Sequence, residues 1–129
     1  MIYYFVWIVI VLIIWIYLWL FYKLNKKLKK YIKDDLLKRK EKIIKAKISN
    51  KEKIIDLDKL YHKVLLVYGY KWTFWEILKQ NPKEIKDINK IWELHKLRNK
   101  LVHDFDLVSE WVLQKKVKLY EKEIEKLLN

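Results

Sequence analysis

The run His95-Lys-Leu-Arg98-Asn99-Lys-Leu-Val-His103 holds the side chains of this sequence best suited to chemistry. Arginine is scarce, with 27 lysines against only Arg39 and Arg98. Where lysine serves for every plain positive charge, an arginine points to a use for its planar fork of donors, which grips an anion at two points. On a helix Asn99 and His103 are four apart and share a face, while Arg98 borders that face in line with Val102. An Arg, an Asn and a His projecting together can bind a phosphate and move a proton. Ribonucleolytic chemistry needs little more: a group titrating near neutrality to act on the 2′-hydroxyl or the leaving oxygen, and a cation to stabilise the phosphorane. The competing reading is structural. His103 near a helix C-terminus interacts well with the dipole there, and Arg98 pairs with Asp104, Asp106 or Glu93.

Other chemistries find no residues. Without cysteine there is no disulfide framework, thiolate zinc site or cysteine nucleophile. The histidines are His62, His95 and His103; the last two lie eight residues apart, too far to share one metal ion on one helix, and no HExxH spacing exists. Neither a metal site nor a cofactor is expected, and His62, beside an apolar stripe, is given no role. Gly69 and Pro82 are single occurrences, which excludes glycine-rich phosphate loops and argues against a turn-rich β-sandwich. Ser109 is the one serine after residue 50, so no Ser-His-Asp arrangement is visible.

Helices must therefore position the motif. Ser49 and Glu52 have the spacing of a capping box, opening a helix with the stripe Ile54, Leu57, Tyr61, Val64, Leu65 and Tyr68. Gly69 falls where a left-handed cap is needed. Thr73 and Glu76 repeat the capping-box spacing before a short run over Phe74–Gln80, which Asn81-Pro82 ends. A longer helix is expected over about Ile85 to His103, with Ile88, Ile91, Trp92, His95 and Val102 along one side. Asp104 to Asp106 should form a turn, and Ser109 should cap a final helix to about Leu128, presenting Leu113, Val117, Tyr120, Ile124 and Leu127. Trp72, Trp75, Trp92 and Trp111 are expected in the core, and any that is exposed would mark a contact between copies.

Composition explains what precedes the bundle. The chain of 129 residues is 53% hydrophobic yet carries a formal net charge of +13. The two extremes are segregated. Residues 1–22 contain no charged side chain, whereas residues 23–47 hold eleven Lys and one Arg against Asp34, Asp35 and Glu41, a net +9. Twenty-two apolar residues as a helix span about 33 Å, enough for the hydrocarbon core of a bilayer. No Ala, Gly or Ser precedes Ala46, so no signal-peptidase site is visible and the span should stay attached. Lys23, Lys26, Lys27, Lys29, Lys30 and Lys33 follow it directly, which places the N-terminus outside and the rest in the cytoplasm of a single-pass protein of the cell membrane. Leu24, Leu28, Ile32 and Leu36 keep helical spacing through this stretch. It reads as a solvated stalk, as a surface helix touching anionic lipid headgroups, or as a contact for nucleic-acid phosphates. The expected architecture is all-α: a transmembrane helix over 1–22, a lysine-rich juxtamembrane stalk over 23–49, and a small four-helix bundle over 50–129.

Arg98-Asn99-x-x-x-His103 resembles the R-x4-6-H signature, with a polar residue after the Arg, of the HEPN superfamily of small α-helical bundles. The neighbouring text fits: Ile91-Trp92-Glu93-Leu94-His95 runs into the motif, and a final amphipathic helix contains Leu119-Tyr120-Glu121-Lys122. The resemblance covers about residues 54–128 and extends to membrane-tethered versions of such bundles. It implies a homodimer that brings both Arg/His pairs into one cleft, with Arg98, Asn99 and His103 as the functional set. Many members are metal-independent endoribonucleases and many are non-catalytic binding modules. Three readings follow: a membrane-anchored binding or assembly module with RNA or a protein as partner, a tethered endoribonuclease using Arg98 and His103, and a purely structural bitopic subunit.

Overall fold

The computed structural model describes residues 1–103 and 108–129. The turn expected over Asp104 to Asp106 lies outside the described residues. Among those described, regular structure is entirely helical: α1 (Ile2–Lys45), α2 (Asn50–Val67), α3 (Phe74–Lys79), α4 (Ile88–His103) and α5 (Glu110–Leu128). The chain divides into two compact units, Met1–Asp35 and Leu36–Asn129.

The first unit is the apolar and early basic part of α1. Its best 18-residue window has a mean hydropathy of 2.6 and buries nothing against the rest of the protein, so its length and composition suit a membrane span. Lys23, Lys26, Lys27, Lys29 and Lys30 are exposed and Lys33 is half-buried. Four of them, Lys23, Lys26, Lys27 and Lys30, border a shallow groove floored by Leu20 and Leu24. The Lys23 ammonium lies 4.8 Å from the Trp19 ring centroid, a cation–π contact at the end of the apolar run.

In the second unit α2 is central, packing on α5 and on α4. Its start is the capping box expected of Ser49 and Glu52: the Ser49 hydroxyl accepts from the Glu52 amide at 3.2 Å, and the Glu52 carboxylate accepts from the Ser49 amide at 2.9 Å. Its end is a Schellman motif, with the Tyr70 amide donating to the Leu65 carbonyl and the Gly69 amide to the Leu66 carbonyl. Gly69 has φ +99°, the left-handed conformation that explains the one glycine. Between these ends Ile54, Leu57, Tyr61, Val64 and Leu65 are buried as the stripe predicts, and they meet the predicted α5 stripe of Leu113, Val117, Tyr120, Ile124 and Leu127. Tyr68 departs from its stripe. Its ring is about half exposed while its hydroxyl donates to the Leu127 carbonyl, tying the end of α2 to that of α5.

The end of α1 belongs to this second unit. Leu36 is 2% exposed and Lys40 6%, so the basic segment stops being a solvated helix well before the capping box at Ser49. The Lys40 ammonium sits between Glu121 at 3.5 Å and Glu125, with which it is hydrogen-bonded. Burial pulls the Lys40 pKa down, but the hydrogen bond and charge of Glu125, helped by Glu121, outweigh it and hold the group above its ordinary 10.5.

Two expectations need correction. Helix α4 starts at Ile88, where the Asp87 carboxylate accepts from the Lys90 amide at 3.1 Å, and its buried face is Ile91, Leu94, His95 and Leu101. Val102, placed on the apolar side by spacing, is 46% exposed. The four indoles are not core either: Trp72, Trp75 and Trp111 are exposed and Trp92 is half-buried. The interior is filled by Tyr61, Phe74 and Tyr120 with aliphatic side chains, and the indoles occupy a loop, a helix entrance and an outward face.

Candidate anion-binding cleft

Asp58 is the centre of the site. It lies on α2 between Leu57 and Leu60 and is 3% exposed, an acid set in an apolar stripe. A buried carboxylate is tolerated only when its lone pairs are met by donors. From α5 the Tyr120 hydroxyl donates to Asp58 Oδ1 at 2.6 Å. From α4 His95 Nδ1 meets the same oxygen at 2.9 Å, and Arg98 Nε stands 3.6 Å from Oδ2. Three helices thus converge on one carboxylate. The Tyr120 pKa is pushed well above its ordinary 10.0, first by burial and then by the charge of Asp58 and the hydrogen bond to it. Tyr61, stacked on Phe74 with centroids 5.7 Å apart, is likewise pushed up by burial, aided by the charge of Glu123.

The polar chain continues outward. His95 Nδ1, facing a carboxylate, is the donor of that pair. Asn99 Nδ2 lies 3.4 Å from Nε2, and Asn99 Oδ1 accepts from Arg98 Nη1 at 2.9 Å. Arg98, Asn99, His95 and Asp58 therefore form one oriented network in which each group fixes the next. Arg98 Nε is buried and, among the described residues, its partner is the Asp58 carboxylate, an ion pair at 3.6 Å rather than a hydrogen bond.

This network forms one wall of an open cleft of about 320 Å³. Asp58, Lys59 and His62 line it from α2, Thr73, Phe74 and Trp75 from the α3 entrance, and His95, Arg98 and Asn99 from α4. The α3 side is held by rings. His62 stacks on Phe74 with centroids 5.5 Å apart and planes 6° apart, and Phe74 meets His95 edge-on at 4.6 Å. The Thr73–Glu76 capping box fixes the entrance, and those hydrogen bonds hold the Glu76 pKa below its ordinary value.

Of the residues the sequence singles out, Arg98 and Asn99 line the cleft and touch each other. His103 is exposed at the end of α4 and is not among the lining residues. Of the carboxylates weighed against Arg98, Asp104 and Asp106 lie outside the described residues, and among those described the acid paired with Arg98 is Asp58 of α2. Sequence reasoning missed Asp58, Tyr120 and His62. The available signal was Asp58 itself, a charge at a core-facing position between Ile54 and Tyr61. Among the described residues, no group of three or more His, Asp or Glu could hold a metal ion. Comparison with protein-family models, curated proteins and solved structures returns no match for this chain.

Proposed function

We propose that the protein is a membrane-anchored helical module that binds RNA through phosphate contacts in the cleft of its bundle, on the cytoplasmic side and as a pair of chains. Arg98 carries the reading. The Arg98 guanidinium lines the open cleft with its side chain 25% exposed, held by its ion pair with Asp58 and its hydrogen bond to Asn99. A phosphate in the cleft would meet the exposed part of that oriented cation, with Lys59 adding charge beside it. The lysines after the apolar run support the cytoplasmic orientation, and the likeness of Arg98-Asn99-x-x-x-His103 to the HEPN signature supports RNA and the pairing of chains.

Binding is favoured over cleavage by what surrounds the histidines. His95 has both ring nitrogens engaged, one by Asp58 and one by Asn99, and His103 stands outside the cleft. The test uses the full chain in nanodiscs of neutral lipid, titrated with labelled single-stranded RNA in EDTA at several salt concentrations. Binding should weaken with salt, and Arg98→Ala should weaken it about tenfold or more, the worth of a charge-assisted hydrogen bond. Affinity indifferent to Arg98→Ala sinks the reading. RNA cleavage lost in both Arg98→Ala and His103→Ala would replace it with a tethered endoribonuclease.

A further inference from the structure

Trp72 adopts φ +102°, a conformation that L side chains with a bulky Cβ substituent avoid. The other non-glycine residue at positive φ among those described, Asn81 at +50°, is of a type that tolerates it after a helix. Glycine at 72 would relieve the backbone, and burial does not repay the tryptophan, because the residue is 69% exposed. Strain held without a packing return points to function. The strain is held from the cleft: His62 Nε2 contacts the Trp72 carbonyl at 3.0 Å, and the His62 ring is itself stacked on Phe74. His62 and the next residue, Thr73, both line the cleft, so the Trp72 backbone adjoins it. Trp75, also lining the cleft, is 43% exposed and braced edge-on against Trp92 with centroids 4.6 Å apart.

Resting on the RNA reading above, we infer that the α3 rim is a base-stacking platform: Trp72, with Trp75 beside it, takes an unpaired nucleobase while Arg98 holds an adjacent phosphate. The ligand is then single-stranded RNA with its bases splayed outward, since a duplex keeps its base faces stacked on one another. Stacking on indoles beside a cation is tolerant of sequence, so the module reads strandedness more than base identity.

The test titrates the full chain in neutral-lipid nanodiscs with three labelled probes of about 12 residues: a single-stranded RNA, its duplex, and an abasic oligomer of equal charge. The wild type should prefer the single strand over the other two by about tenfold, the worth of one stacked base. Trp72→Gly, which relieves the backbone and leaves the His62-facing carbonyl in place, should abolish that preference without lowering Tm. Arg98→Ala should weaken all three probes. If Arg98→Ala weakens binding but Trp72→Gly keeps the preference, the platform is wrong and phosphate binding stands. If Arg98→Ala changes nothing, the RNA reading falls and the platform with it. A Trp72→Gly chain that keeps its preference but loses its pairing in light scattering would assign the indole to a second copy, against the inference.

Discussion

Replacing Asp58 with alanine tests whether this carboxylate holds the bundle's polar centre together. In the native chain it accepts from Tyr120 at 2.6 Å and from His95 at 2.9 Å, both donors on buried side chains. Truncation leaves two buried donors unpaired at about 1–3 kcal/mol each, so the loss should be about 2–6 kcal/mol. At roughly 0.05–0.15 kcal/mol per residue, the second unit, Leu36–Asn129, is stable by about 5–14 kcal/mol. Asp58→Ala should therefore remove a large share of its stability. Tyr120→Phe removes one donor and leaves Asp58 with His95 and the nearby Arg98, so it should cost about 1–1.5 kcal/mol. The double variant separates a hub from two independent sites. With Asp58 gone the Tyr120 hydroxyl is already a liability, and deleting it too should recover about 1–2 kcal/mol relative to additivity. The assay is urea unfolding of the full chain in neutral micelles, followed by far-UV circular dichroism. A cost below about 1 kcal/mol for Asp58→Ala, or strict additivity in the double variant, would refute the claim that the three helices converge on this carboxylate.

Four further outcomes follow from the same structure. The folded-state pKa of Tyr120 is raised above its ordinary 10.0, so its contribution to stability is full below pH 10 and is lost as pH climbs from there towards the folded value; Tyr120→Phe should flatten that alkaline decline in unfolding midpoint. Lys40→Ala should cost about 1–2 kcal/mol and Lys40→Met less, because Glu121 and Glu125 are partly solvated and the lost packing of the stem matters as much as the lost charge; equal costs in thermal unfolding would contradict this. Gly69→Ala should lower stability by about 1 kcal/mol through backbone strain alone, since a Cβ there meets nothing within 4 Å, and Gly69→Asn should cost less. Neutralising Lys23, Lys26, Lys27, Lys29, Lys30 and Lys33 together should shift a reporter fused after Asn129 from the cytoplasmic to the external side in part of the population; an unchanged topology would separate orientation from these lysines.

What the sequence made legible was local. Both capping boxes, the left-handed glycine and the α5 stripe depend on residues within a few positions of one another, and each stands in the structure as spacing predicts. The face of α4 was harder to read because it is partly polar. Spacing places Ile91 and His95 on the buried side correctly but adds Trp92 and Val102, whereas the buried face is completed by Leu94 and Leu101, and His95 is met there by an acid on α2. That pairing joins residues 37 apart, and the Tyr120 bond joins residues 62 apart, so neither leaves a periodic trace. Arg98 and Asn99, singled out by scarcity and spacing, line the cleft. The histidine beside them was not singled out: helical spacing puts both His95 and His103 four positions from Asn99, and only the location of Asp58 chooses between them.

That choice also separates two uses of positive charge in this chain. Lys23, Lys26, Lys27, Lys29 and Lys30 are exposed point charges on flexible stems, and their attraction for anions is diffuse and screened by salt. Arg98 has a side chain only 25% exposed and is aimed by neighbours that are themselves held by a buried acid. On the proposed reading, its interaction with a phosphate would be screened less and would depend on geometry. Raising salt should therefore erode the lysine contribution first and leave the Arg98 dependence of binding intact. The ratio of wild-type to Arg98→Ala affinity should hold steady, or grow, between low and physiological ionic strength while both absolute affinities fall. A ratio that collapses to one with added salt would mean that Arg98 acts as one more surface charge, and that the network from Asp58 through His95 and Asn99 serves folding alone.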